Sequence, residues 1–155
     1  MAKALNFDTG LVDYEINGGA HVRFNPADIS FTERFYNAFT QLAEQQETFQ
    51  QQVDEALAND DKDEFFAFAN ARDAEMREII DGVFGDGIAD AIFPDMNCYA
   101  IADGMPIWIN FLFAVAEEIR DAYDEQGKKA DPRMKHFDAK SKELLEKYKK
   151  ATTKK

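Results

Sequence analysis

Cysteine, histidine and proline are scarce in this chain, with one Cys, two His and four Pro in 155 residues. The single Cys98 excludes an internal disulfide framework and fits a reducing compartment, so the cytoplasm is the expected location. It lies beside Tyr99 in an apolar stretch, which predicts a buried, inert thiol. His21 and His136 each lack a second histidine or cysteine at ligand spacing. Asp60, Asp61, Asp63 and Glu64 lack the glycine and the distal glutamate of a calcium loop, so they are expected to cap and start a helix. Gly82, Gly85 and Gly87 form no phosphate-cradling pattern after a strand. No pair of carboxylates sits in an apolar setting that would push two pKa values apart. Catalytic, cofactor-binding and metal residues are therefore all assigned as none, and a non-enzymatic protein is expected.

Long apolar runs are also missing. The longest, Cys98–Ala116, is interrupted by Asp103 and contains Gly104, Pro106 and Asn110, which argues against a membrane span. The first residues, Met-Ala-Lys-Ala-Leu-Asn, offer no apolar segment for a secretory signal. Positive charge is short in most of the chain. Residues 1–126 hold 7 Lys and Arg against 26 Asp and Glu, a net −19, whereas residues 127–155 hold 11 against 4, a net +7. Such a split marks an interaction tail. The expected organisation is one domain over 1–126, β at 4–24 and helical at 30–126, followed by a basic tail over 127–155, partly helical or disordered.

What is present is apolar side chain in helical register. The chain is 45% hydrophobic and carries 14 phenylalanines, enough for a packed core. Ile107, Trp108, Phe111, Leu112, Val115, Ile119 and Tyr123 recur at steps of three and four, one face of an α-helix over 105–123. Pro106 suits its first turn. Ile109 and Phe113 add apolar surface opposite, so this helix is expected at the centre, covered on several sides, and stopped by Gly127.

Upstream, Ala4–Phe7 is a candidate strand, and Leu11–Ile16 alternates in part. Asn17-Gly18 signals a tight hairpin turn, and Ala20–Phe24 is the return strand. A lone two-stranded hairpin is marginal in water. It must dock on the helices, pair with Ala4–Phe7, or pair with another chain. After Asn25-Pro26, Ser30 with Glu33 predicts a capping box, with Ile29 as its hydrophobic staple. Phe31, Phe35, Phe39, Leu42, Phe49, Val53 and Leu57 carry a helix to about residue 58. Its second half has a thin apolar seam and either packs within the chain or meets a helix from elsewhere.

A second helix is expected antiparallel to the first, broken at Gly82 and Gly85–Gly87. Short helices follow at Ile88–Phe93 and from Asp95 to Ala102. Arg133–Lys150 is a possible last helix, and Ala151–Lys155 should fray. The fold class is thus α+β, mainly α: a small N-terminal antiparallel hairpin, a helical bundle and a basic C-terminal arm. Tyr36 and Phe66 fall off the main stripes and are candidate partner-binding residues, together with Phe49 and Val53 on the thin seam and Lys128, Lys129, Arg133 and Lys135 in the basic arm.

The segment Met96-Asn-Cys-Tyr-Ala-Ile-Ala-Asp-Gly-Met-Pro-Ile-Trp-Ile-Asn-Phe-Leu-Phe-Ala-Val115, with Val22–Pro26, Phe31–Phe35 and Asp73–Ile79, resembles small proteins from tail-gene clusters of long-tailed phages and prophages, which look like tail assembly chaperones. The resemblance covers roughly residues 5–137. It implies a non-enzymatic protein of the host bacterial cytoplasm that multimerises and binds tape-measure helices and tail-tube subunits. Some members of that family are also made as a longer frameshifted product. The family supplies no catalytic positions. A competing reading is an acidic phage-encoded inhibitor that mimics nucleic acid or blocks a host defence protein. Nucleic acid is not an expected partner, because a lysine tail with Phe137 and Tyr148 as its aromatics is poor for base stacking.

Overall fold

In the computed structural model, residues 1–129 and 132–153 are described, leaving aside the side chains of 132–138, 141 and 151–153. The chain divides into two compact units, Met1–Ala122 and Tyr123–Lys155. The fold is α+β and mainly helical.

The first unit begins with a hairpin of β1 (Val12–Ile16) and β2 (Ala20–Phe24). The strands pair antiparallel with Val12 opposite Phe24, Tyr14 opposite Val22 and Ile16 opposite Ala20. Alternation puts these six on one face and Asp13, Glu15, His21 and Arg23 on the other, all four exposed. Asn17 and Gly18 both take positive φ, 50° and 75°, and Gly19 N–H donates to the Ile16 carbonyl at 3.0 Å, as a tight primed turn requires.

The expected strand at Ala4–Phe7 does not form, and Leu5 and Phe7 are exposed. A side chain ties down this segment instead. Asn25 donates to the Thr9 carbonyl at 3.0 Å and packs so close to Gly10 that a Cβ there would sit 2.7 Å from its amide nitrogen. The hairpin gains its stability by docking. Val22 and Phe24 are buried, and the Phe24 ring stacks on Phe31 at 4.4 Å and meets Phe84 edge-on at 5.8 Å.

Helix α1 spans Ile29–Ala58. Asp28 caps it, accepting from Ser30 N–H at 3.0 Å, so the expected Ser30 box does not form. Asp and Ser are equally good caps, and Asp28 comes two residues sooner after Pro26. Ile29 therefore becomes helical and exposed and makes no staple, and Leu57 is also exposed. Asp61 caps α2 (Lys62–Phe84) by accepting from Glu64 N–H at 3.0 Å, the role expected for this acidic cluster. α2 runs through Gly82 and ends only at Gly85, whose φ is 123°. Ring pairs Phe31–Phe84 and Phe49–Phe68 make α1 and α2 antiparallel.

Next come α3 (Ile88–Ile92), an irregular stretch, and a small ribbon of β3 (Ile101–Ala102) and β4 (Met105–Pro106) turned by Asp103 and Gly104 at positive φ. The ribbon replaces the expected helix after Asp95. Asp95 itself adopts φ 57° and cannot serve as the extended N-cap. Pro106 thus ends a strand, and α4 starts just after it, at Ile107, and continues past Gly127 to Lys128. Trp108, Phe111, Leu112, Val115 and Ile119 of α4 are buried, whereas Phe113 is 48% exposed. The helix is therefore amphipathic rather than covered on all sides. The Trp108 indole N–H is buried with no partner, so its packing volume rather than its donor suits it to this position. In the second unit, α5 runs Pro132–Thr153, through residues expected to fray.

The irregular stretch after α3 leaves backbone groups that no ladder satisfies, and α2 supplies their partners. The Arg77 guanidinium donates to the carbonyls of Ala89, Phe93 and Met96 while pairing with Asp73 and Asp90, both at 2.9 Å. Asp73 in turn accepts from Cys98 N–H at 2.8 Å. Burial alone would raise the Asp73 carboxyl, but the Cys98 N–H and the Arg77 guanidinium hold it below the ordinary carboxylate range. Asp81 accepts from Gly87 and Ala89 N–H at 3.1 and 2.8 Å, starting α3.

Two losses of stability are expected in urea unfolding. Leu112→Ala should cost about 2–5 kcal/mol through transfer and cavity terms. Arg77→Met should cost about 3 kcal/mol, because carbonyls and carboxylates lose their donor. Arg120, 70% exposed with carboxylates at 3.8 and 3.9 Å, is the control. Arg120→Met should cost about 0–1 kcal/mol. Equal losses for the two arginine variants would show that Arg77 is no clamp.

Candidate functional site

Docking the hairpin against α3 and α4 leaves a cleft of about 850 Å³ between them. Its floor is apolar: Ile16, Ala20 and Val22 from the inner strand face, and Ile107, Phe111, Ala114 and Val115 from α4. Its rim on the α4 side is acidic, with Glu117, Glu118 and Asp121, whereas Glu15 borders it from the outer, exposed face of the hairpin. Ala114, Glu117, Glu118 and Asp121 follow at steps of three, four and seven from the first, so they share one exposed stripe of α4. Small Ala114 opens the floor and the carboxylates line its edge.

Tyr14 bridges the two walls. Its hydroxyl donates to Glu118 Oε2 at 3.3 Å, and its ring stacks on Phe24 at 4.6 Å. Burial, then the Glu118 charge and hydrogen bond, push the phenol up to about 12. It stays a neutral donor across physiological pH. An apolar floor beside one carboxylate rim suits an amphipathic segment whose apolar strip carries cations along one border.

A second cleft lies over Asp73, Arg77, Asp90 and Asn97. Its polar groups are engaged within the fold, as the Arg77 bonds show. Cys98 lies beside it at 0% exposure, and burial pushes its thiol far up, so it is not a nucleophile in the folded chain.

Among the described residues, none of the partner-binding residues expected from sequence lines the groove. Tyr36 is 45% exposed on α1, edge-on to Phe35 at 5.2 Å, and Phe66 is 59% exposed on α2. With α1 and α2 antiparallel, these two lie toward opposite ends of the pair, about 20 Å apart at ~1.5 Å per residue. Phe49 is engaged within the chain, stacked between Phe68 at 5.6 Å and Tyr99 at 4.5 Å, with the Arg72 guanidinium over the Phe49 and Phe68 rings. Val53 is half-buried. Lys128 and Lys129 are exposed, with Lys129 3.4 Å from Glu125. The side chains of Arg133 and Lys135 lie outside the described residues.

Sequence reasoning missed the groove because it singled out none of the α4 carboxylates, finding no pair in an apolar setting. The signal was Ala114 followed by acids at the third, fourth and seventh positions. Among the described residues, no group of His, Cys, Asp and Glu is arranged to hold a metal ion, and no helix is long and apolar enough to cross a membrane.

The Tyr14 bridge carries a pH signature. A phenol whose folded pKa is about 12, above the ordinary 10.0, adds stability that is complete below pH 10 and lost as pH rises through 12. Tyr14→Phe should therefore flatten the decline of the urea midpoint between pH 10 and 12, and an unchanged slope would show that the bridge does not form. In comparisons with known proteins, the chain matches no family model, no curated protein and no solved structure.

Proposed function

We propose that this chain is a non-enzymatic, tail assembly chaperone-like protein of a long-tailed phage or prophage. In this reading it acts in the host bacterial cytoplasm, multimerises, and binds tape-measure helices and tail-tube subunits. The observation that carries it is a pair of exposed aromatic side chains on two long helices, Tyr36 on α1 and Phe66 on α2. Exposed aromatics of this size suit protein contacts. A client helix of four turns spans the roughly 20 Å between them. The motifs at Asp73–Ile79 and Met96–Val115 that resemble tail chaperones coincide with the Arg77 clamp and with the start of α4. They support the reading through the scaffold rather than through a contact surface.

Co-expression with tape-measure and tail-tube proteins, followed by affinity capture and size exclusion, tests it. A complex is expected with the tape-measure helices, lost by at least about tenfold in affinity when Tyr36→Lys and Phe66→Lys are combined, because hot-spot aromatics each contribute about 2 kcal/mol or more. Absence of any complex would sink the reading. If the chain instead captures a DNA-binding defence protein and duplex DNA displaces it, the −19 body is a phosphate mimic and the inhibitor reading replaces this one.

A further inference from the structure

The open side of the hairpin is β1. On β2, Val22 and Phe24 are 2% and 8% exposed, whereas on the same face of β1 Val12 is 39% exposed and Tyr14 and Ile16 are half-buried. Among the described residues this sheet has two strands, so the outer edge of β1 offers backbone N–H and C=O groups to a third. Apolar cover runs out where the groove begins, since Tyr14 and Ile16 line it and Tyr14 reaches across it to Glu118.

The segment before the hairpin lacks cover as well. Residues 3–8 belong to no strand or helix, and Leu5 and Phe7 are 90% and 82% exposed. Neither lines the groove of its own chain. In an extended segment alternate side chains share a face. Lys3, Leu5 and Phe7 thus fall together, and Asn6 and Asp8 fall on the other side, so the arm's one acid is off the face that carries its cation. The groove is the converse: an apolar floor at Ala114 and Val115 beside Glu117, Glu118 and Asp121, with no Lys, Arg or His among its described lining residues. Arg120 approaches Glu117 and Asp121 only to 3.8 and 3.9 Å, and one cation against three carboxylates leaves the rim negative.

We propose that residues 3–8 of a second copy add to the outer edge of β1 as a third strand. Leu5 and Phe7 then cover the groove floor, and Lys3 meets the α4 rim. A strand lying about 4.8 Å beyond β1 supplies both things the open side lacks, backbone partners and apolar cover. The occupant is the second copy's arm rather than the chain's own. Asn25 holds the Thr9 carbonyl at 3.0 Å and packs against Gly10, and from that anchor the chain's own Leu5 and Phe7 stay exposed. Exchange of two arms closes as a two-fold dimer. The proposal gives the self-association of the chaperone reading a route, yet it rests on the arm and β1 and not on the client surface at Tyr36 and Phe66.

Sedimentation and amide hydrogen exchange of the full chain test it. Wild type should reach twice the mass of the 17.6 kDa chain. Amides at 4–7 and 12–16 should gain about tenfold or more protection as the dimer forms. Leu5→Glu with Phe7→Glu spoils the arm, and Ala114→Glu puts a charge on the floor. Each variant alone should be monomeric with unchanged circular dichroism. An equimolar mixture should give a heterodimer, because one intact arm and one intact groove remain between them. Lys3→Glu should weaken the dimer about fivefold at 0.1 M salt and hardly at all at 1 M, where screening shortens to about 3 Å.

A wild type that stays monomeric at every concentration, including one whose arm amides are protected within its own chain, overturns the proposal. So does a dimer that survives the arm variant, or one whose arm amides stay unprotected. If Ala114→Glu fails to fold, the arm variant and the exchange pattern decide alone, because Leu5 and Phe7 are exposed in the single chain. A dimer that forms while tape-measure helices fail to bind removes the client reading and leaves this inference standing.

Discussion

The Arg77 guanidinium is the interaction on which the first unit depends. A short helix and an irregular stretch must be held against α2 with their carbonyls turned inward, and neither a sheet nor a long helix is available to satisfy them. A planar cation with five donors on a half-buried helix face does so. It gathers carbonyls from Ala89, Phe93 and Met96 and is itself neutralised by Asp73 and Asp90. From there order passes along the backbone. Asp73 fixes the Cys98 N–H, the Cys98 carbonyl accepts from Trp108 N–H, and the Ala100 carbonyl accepts from Ile107 N–H. The first turn of α4 is set this way, and with it the direction in which Glu117, Glu118 and Asp121 face.

Much of the fold was legible because its signals are local. Asn17-Gly18 supplies two positive-φ residues where the turn needs them, Asp61 caps α2, and the three-four spacing of Trp108, Phe111, Leu112 and Val115 marks a buried stripe. Where two local signals compete, sequence does not decide between them. Asp28 and Ser30 are both good caps, and the helix starts at the earlier one. Ala4–Phe7 has strand-like residues but pairs with neither outer edge of the two-stranded hairpin, whose apolar face docks on Phe31 and Phe84 without a third strand. The ribbon at 101–106 turns on the positive φ of Asp103 and Gly104, which reads equally as a helix end followed by a helix start. The groove was hidden for another reason. It exists only once the hairpin face and the α4 stripe are opposed, and those residues lie about a hundred positions apart.

Aromatic packing divides the labour within the first unit. One set of rings, Phe24, Phe31, Phe84 and Phe111, joins the hairpin to the ends of α1 and α2 and to α4. A second set, Phe49, Phe68 and Tyr99, closes the thin seam in the far half of α1, capped by the Arg72 cation. Between the sets, Phe39 and the buried Leu42 carry the apolar face of α1 on toward Gln45-Gln46, and Tyr99 meets Trp108 at 6.2 Å, so both sets join one core. The groove belongs to the first set and the exposed Phe66 to the neighbourhood of the second.

The lone cysteine gives the chain an internal clock. Cys98 has no exposure, its thiol is pushed far up by burial, and its N–H is held by Asp73 in the stretch that Arg77 clamps. An alkylating reagent reaches the sulfur only when that stretch lifts away from α2. The labelling rate, set against that of a free thiol, is thus a direct count of how often the clamp opens. Because the sequence contains one cysteine, every modified molecule records that single event.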